Sequence, residues 1–486
     1  MRETRLDDEK VIVPRARQRD GELAARLQEI RAELELPESF PAAVESEARE
    51  VVASAPLPDV DLTDVAFVTI DPPGATDLDQ ALHIERTEDG YLVQYAIADV
   101  PAFVPPGGAI DTEARERGQT LYAPDGRIPL HPPVISEGAA SLLPGVVRGA
   151  YVWTFVLDDG GEVSVTTLQR ARVRSTAQLS YDEAQQLADA GDEAMGLLRA
   201  VGMLRLEVER ARGGASLNRP DEEIEVVDGR YVLTQRAPLP VEQWNAQLSL
   251  MTGMAAADIM LDGGVGILRT MPAPDPETIE RFRRQVAALG CPWPDDLAYG
   301  EFLRALDTAS PAGLAAVHAA AALFRGAGYD AFDGERPAAT VQAAVAAPYA
   351  HTTAPLRRLV DRFVLVTCEA LLAGEPVPDW VREALPTLPK IMGRTSGVAS
   401  RLERESVAAI EAALLEAHVG AEFDAVVIAA KESSVTVQVV PPDDGSLDVA
   451  GIVTASVEAI PAPGATVRVR LVAASISGGS VTFALA

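Results

Sequence analysis

The apolar positions of this chain follow three successive rhythms. Near the start, GELAARLQEIRAELEL sets Leu23, Leu27, Ile30 and Leu34 at helical spacing, prolines at 37 and 41 interrupt, and AAVESEAREVVAS resumes the period. Residues 16–57 therefore predict a small module of amphipathic helices. From about Pro56 the rhythm becomes that of strands, with AFVTI, YLVQYAIADV, YVWTFVLDD and EVSVTTLQRARV separated by Gly, Pro and Asp turns. Helical periods then take over at 182–212, 243–261, 276–289 and 356–372. A further helix over 398–417 carries Leu402, Ala408, Leu414 and Leu415 on its apolar face. After Gly420 strand-like runs return as EFDAVVIAA, SSVTVQVV, ATVRVRLVAAS and GSVTFALA, the pattern expected of a small five-stranded OB-fold barrel. The predicted fold class is α+β, divided as a helical module (1–58), a mixed central domain (59–395), a connecting helix (396–419) and the barrel (420–486). No 20–50-residue repeat is visible.

Composition narrows the function classes. A chain of 486 residues exceeds what one hydrophobic core organises, which supports several domains. Charges and prolines break every long apolar run, so no membrane span is expected. The charged N-terminus, MRETRLDDEK, lacks the features of a signal peptide, and a cytoplasmic location is expected. Cys291 and Cys368 stand alone in apolar settings, which fits a reducing compartment and excludes a disulfide scaffold or a cysteine zinc site. The net charge of −30 speaks against a nucleic-acid partner. That objection weakens where basic residues converge locally, because the local field steers a ligand.

FVTIDPPGATDLDQALHI is the most informative stretch. A strand ending at Ile70 delivers Asp71, and Asp77 and Asp79 come within one short segment. Two apart in extended backbone, Asp77 and Asp79 point the same way, and the Pro-Pro-Gly turn can fold Asp71 back beside them. Three carboxylates so placed suit Mg²⁺ or Mn²⁺, hard cations that relieve mutual repulsion. Turn-forming and helix-capping aspartates account equally well for the segment taken alone. A calcium loop of EF-hand type fits less well, because Ala81 and Leu82 stand where a ligand and its glycine belong.

Together with the residues downstream of it, the segment resembles the catalytic domain of the RNase II/RNase R family, whose signature opens with a strand, TID and aspartates spaced in this way. The resemblance continues through YAIADVPAFVPPGGAIDTEARERGQTLYAPDGRIPLHPPVISEGAASLLPG, QLSYDEAQ and YAHTTAPLRRLVDRFV. The C-terminal barrel sits where the family carries its RNA-binding OB domain. The implied protein is a monomeric, Mg²⁺-dependent exoribonuclease that shortens single-stranded RNA processively from its 3′ end to nucleoside 5′-monophosphates. By resemblance, Asp71, Asp77 and Asp79 match metal-site carboxylates, with Asp79 the one on which chemistry most depends. Tyr122 and Tyr181 match tyrosines near the 3′-terminal nucleotide, and Tyr181 joins Asp79 and Arg357 as a catalytic candidate. Arg357 matches the arginine that approaches the scissile phosphate, with Arg358 beside it. Two arginines just after a proline at a helix start can face a phosphate together. Tyr349 and His351 precede them, and for His351, as for Tyr181, a core or capping role competes.

The chain departs from the family pattern in four places. Gln80 stands where a fourth aspartate is usual, and an amide accepts hydrogen bonds but carries no charge, so the number of metals is open. Gln247 aligns with a family glutamate near the RNA, with Glu242 a candidate to compensate. Leu217 replaces a base-stacking phenylalanine, which weakens one wall of the nucleotide clamp. The family's two N-terminal cold-shock barrels have no counterpart, and the helical module stands in their place, either as an RNA-binding unit or packed on the body. These departures keep two rivals in view: an RNA-binding relative that has lost catalysis through Gln80 and Gln247, and a metal phosphoesterase acting on small nucleotides.

Overall fold

A computed structural model describes residues 19–215, 221–227, 230–236, 238–308, 310–431, 434–440, 452–456, 461 and 464–486. Leu217 lies outside the described residues. The centre is a six-stranded sheet of β1 (Val60–Asp61), β2 (Phe67–Ile70), β3 (Gln80–Thr87), β4 (Gly90–Ala98) and two longer strands, Val147–Asp158 and Val163–Leu179. The last strand pairs with Val147–Asp158 over its first part and with β2 over its end, so the sheet closes on itself. Around β3 and β4 both faces of the sheet carry a core, and the two-residue period of these strands shows how. Ala81, Ala96 and Ala98 enter one core, while Leu82, Ile84, Tyr95 and Ile97 enter the other. The second of these is covered by helices that include Glu193–Arg212, Pro240–Gly263 and Leu359–Ala373.

The expected helices and the C-terminal barrel are present with adjusted limits. The predicted helix over 182–212 is two helices, Tyr181–Ala190 and Glu193–Arg212, because Gly191 takes φ 83° and Asp192 caps the second with its carboxylate on the Met195 N–H. The connecting helix begins earlier than its apolar face suggested and runs as Leu388–Leu415. Beyond it, Glu422–Lys431, Ser434–Val439, Ile452–Ser456, Thr466–Ser475 and Ser480–Leu485 form a closed barrel around Phe423, Val437, Leu471 and Phe483.

The helical module packs on the body. Leu23, Leu27 and Ile30 of helix Arg19–Glu33 are buried against Leu402 and Ile410 of helix Leu388–Leu415 and against Leu121 and Ile128. These last two belong to the hairpin Leu121–Ala123/Gly126–Ile128, and Arg31 pins its turn through Asp125 at 2.6 Å. No helix among the described residues is long and apolar enough to cross a membrane.

Candidate active site

β2 ends at Ile70 and hands Asp71 to the loop, whose N–H bonds back to the Leu179 carbonyl at 3.1 Å. The loop returns through Leu78, fully buried in the core between Asp77 and Asp79. The two carboxylates therefore flank a residue turned inward, as an extended segment requires. Their surroundings nevertheless differ sharply.

Asp77 meets the hairpin. The register sets Tyr122 opposite Arg127, and both reach the same carboxylate: Arg127 Nη1 donates to Asp77 Oδ1 at 2.5 Å and the Tyr122 hydroxyl donates to Oδ2 at 3.4 Å. Arg127 also bonds Thr76 and pairs with Glu137 at 2.9 Å. The Tyr122 ring is 55% exposed. Sequence reasoning passed over Arg127, yet the APDG turn carried the signal, since a turn at 123–126 places 122 and 127 across from each other on one face.

Asp79 is buried and meets the segment 353–358. Its Oδ1 accepts the Leu356 N–H at 2.7 Å, and Arg357 Nε lies 3.3 Å from its Oδ2. Burial raises its carboxyl pKa to about 8 against the pull of Arg357 and the Leu356 N–H. Asp71 is likewise raised to about 6 by burial, with Arg357 opposing and Asp77 adding. The arginine-bearing segment is held at many points. Ala354 N–H donates to Asp361 at 2.7 Å, Leu359 N–H to the Gly118 carbonyl, Thr120 N–H to the Arg357 carbonyl, and Leu356 is anchored in the core. Gly253 lets the preceding stretch approach helix Pro240–Gly263, since a Cβ there would lie 2.6 Å from the Ala350 oxygen.

The helix starts at Leu359, three residues later than its apolar period suggested, because Arg358 is extended (φ −132°, ψ 125°) and bridges to Gln119. The paired-arginine expectation is corrected accordingly. Arg358 forks onto Asp361 at 3.0 and 2.8 Å and is largely buried, whereas Arg357 stays 43% exposed. His351 is half-buried between Tyr329 and Tyr349, its Nδ1 2.7 Å from the Tyr329 hydroxyl. Burial, together with Arg358, Arg269 and Arg357, holds it neutral, with a pKa well below the usual histidine range. Tyr181 opens its helix behind the cap Ser180, half-buried against the core that contains Tyr95.

The two glutamines are built into the scaffold. Gln247 is buried and donates to Glu209 at 2.5 Å. Glu242 does not compensate for it, because its carboxylate accepts the Leu239 N–H at 2.7 Å and caps the start of their shared helix. Gln80 bonds Tyr95 and Thr353.

Among the described residues no three His, Cys, Asp or Glu side chains form a ready metal cage. The expected cluster of three carboxylates is reduced by Arg127, which claims Asp77. Mg²⁺ needs no such cage, because it is commonly held by one or two carboxylates with waters and substrate phosphate. Asp71 and Asp79 fit that mode, since Asp79 is buried, Asp71 is half-buried, and burial disfavours the ionised form of each, a cost that a bound cation would relieve.

Residues 59–374 match the RNB domain and residues 421–486 match the RNase II-type exonuclease C-terminal S1 domain. Two Arabidopsis thaliana proteins, "DIS3-like exonuclease 2" and "Inactive exonuclease DIS3L2", are each 42% identical over 130 residues, which is 26% of this chain and 12% of theirs. The chain thus matches only a small part of the length of these curated relatives. The apo form of Mycoplasma genitalium RNase R superposes with a TM-score of 0.83 at 18% identity, covering 96% of this chain and 78% of that one, a likeness of fold.

Proposed function

We propose, from the premise that this chain belongs to the RNB family of RNase II-type exonucleases, that it hydrolyses single-stranded RNA from the 3′ end to nucleoside 5′-monophosphates. The observation that carries this reading is the pairing of buried Asp79 with half-exposed Arg357 across 3.3 Å. A guanidinium that can meet a phosphate stands over a carboxylate that can share a cation.

Asp71 and Asp79 would hold Mg²⁺ or Mn²⁺, which supplies Lewis-acid polarisation of the phosphodiester and a more readily ionised water. In the reaction, a water oxygen bonds to the terminal phosphorus, the bond from that phosphorus to the preceding 3′ oxygen breaks, and the 3′ oxygen takes up a proton. Negative charge grows on the phosphoryl oxygens, and Arg357 is placed to stabilise it. Asp79 orients Arg357 through its own carboxylate and fixes the turn that carries it through the Leu356 N–H. Tyr122 offers an exposed ring on which a base can stack, worth about 1–3 kcal/mol. The C-terminal barrel supplies the type of surface on which single strands bind without sequence preference.

The test is digestion of a 5′-labelled single-stranded RNA of about thirty nucleotides, long enough to span several binding sites, with Mg²⁺ or EDTA. The expected result is 5′-monophosphates and short labelled ends with Mg²⁺ alone. Tight binding with no shortening under Mg²⁺ or Mn²⁺ would favour the second reading, an RNA-binding relative that has lost catalysis. Two observations give that reading its support: Gln80 and Gln247 are neutral, and both are committed to scaffold bonds.

A further inference from the structure

Gln80 opens β3 directly after Asp79, and its amide is used at both ends. Its Oε1 accepts from the Tyr95 hydroxyl at 2.9 Å, and its Nε2 donates to the Thr353 carbonyl at 2.6 Å. Tyr95 is held in turn by Ser249 of helix Pro240–Gly263, 2.9 Å from its hydroxyl. Asp79 and Gln80 therefore grip the same segment with opposite polarity. Asp79 takes the N–H of Leu356, and Gln80 takes the C=O of Thr353. Between these two grips and Leu359 lies Arg357.

Few side chains can do this. The position demands an acceptor facing Tyr95 and a donor facing Thr353 at the same time, which an uncharged amide provides and an ionised carboxylate does not. A carboxylate of the same length would set a negative oxygen against a part-buried carbonyl and leave that carbonyl without its donor, a costly arrangement away from water.

We propose that Gln80 is a positioning residue: its amide sets the reach of Arg357 over Asp79 by fixing the carbonyl end of the turn, and alignment, not charge, is what this position contributes. The inference rests on the hydrolytic reading above. Misplacing a group of this kind by about 1 Å can cost on the order of a hundredfold in rate.

The test compares full-length wild type with Gln80→Leu, Gln80→Glu, Tyr95→Phe and the Gln80→Leu/Tyr95→Phe double variant. Single-turnover cleavage of the labelled RNA with Mg²⁺, RNA affinity and melting temperature are measured for each. Gln80→Leu and Gln80→Glu are expected to slow the cleavage step by about tenfold to a hundredfold while affinity stays within about twofold. Tyr95→Phe is expected to cause a smaller loss, and the double variant to be no slower than Gln80→Leu, because both act through one chain of bonds. If Gln80→Leu does not fold, Gln80→Asn, which keeps the amide one methylene short, takes its place. Undiminished cleavage in the variants beside an active wild type would overturn this proposal alone, as would equal losses of cleavage and affinity or fully additive effects. A wild type that binds and never cuts would overturn the hydrolytic reading, and this proposal with it.

Discussion

Asp77 and Asp79 are the same side chain two residues apart, and the protein treats them in opposite ways on the hairpin side, the rim, and on the buried side, the floor. At the rim, Asp77 faces a hairpin that brings Arg127 to 2.5 Å, an arginine it shares with Glu137. At the floor, Asp79 is buried, held by one backbone N–H and by an arginine at 3.3 Å, and raised to about 8. The rim is supported from outside, by helix Arg19–Glu33 packed under the hairpin. The floor is supported from within, by Asp361, Gly118 and the core position of Leu356. Burial beside an arginine that stays half-exposed, more than the density of carboxylates, is what sets Asp79 apart.

The comparison can be broken at four points. The largest effect is expected at the floor's support. Asp361→Asn leaves Arg358 without its buried partner and should lower stability by about 3–5 kcal/mol, measured by chemical denaturation. A loss under about 1 kcal/mol would mean that the turn is held elsewhere. Next, Arg357→Ala should cost about 2.7–4 kcal/mol in the cleavage step, the size seen when one preorganised donor is removed, with a much smaller change in RNA affinity. Equal losses in both would make Arg357 a binding residue only. At the rim, Leu27→Ala should destabilise by about 2 kcal/mol, the low end for a core truncation, since its helix is peripheral. It should also weaken RNA binding through the hairpin, and unchanged affinity would separate the helical module from the site. Smallest, Tyr122→Ala should weaken RNA binding by about 1–2 kcal/mol, within the range for one stacked base, and leave the cleavage step of bound RNA nearly unchanged.

Much of this was legible in the sequence because periodicity and turn chemistry are local. The strand run before Asp71, the helix pair at the start and the closing barrel all arise from the spacing of apolar residues. The candidate residues Asp71, Asp79 and Arg357 were legible as residue types in a recognisable order. Their partners were not, because partnership is a long-range property. Arg127 lies 50 residues from Asp77, and Thr353 lies 273 from Gln80. Where the partner is local, the sequence could have been read further. Arg358 and Asp361 stand three apart, a spacing that favours side-chain pairing on a helix, and this would have removed Arg358 from the phosphate-facing pair. The late start of helix Leu359–Ala373 is a long-range effect as well, since no apolar period reports that Arg358 is held extended against Gln119.

The most direct test of the contrast between floor and rim sets Asp79→Asn beside Asp77→Asn in single-turnover cleavage of one labelled RNA, with affinity measured on the same preparations. Asp79→Asn should bind RNA as well as wild type and lose about a thousandfold or more in cleavage, the scale of removing a principal electrostatic group. Asp77→Asn should lose about tenfold or less, because Arg127 already occupies that carboxylate. Equal losses in the two variants would contradict the account and return Asp77 to the chemistry on the same footing as Asp79.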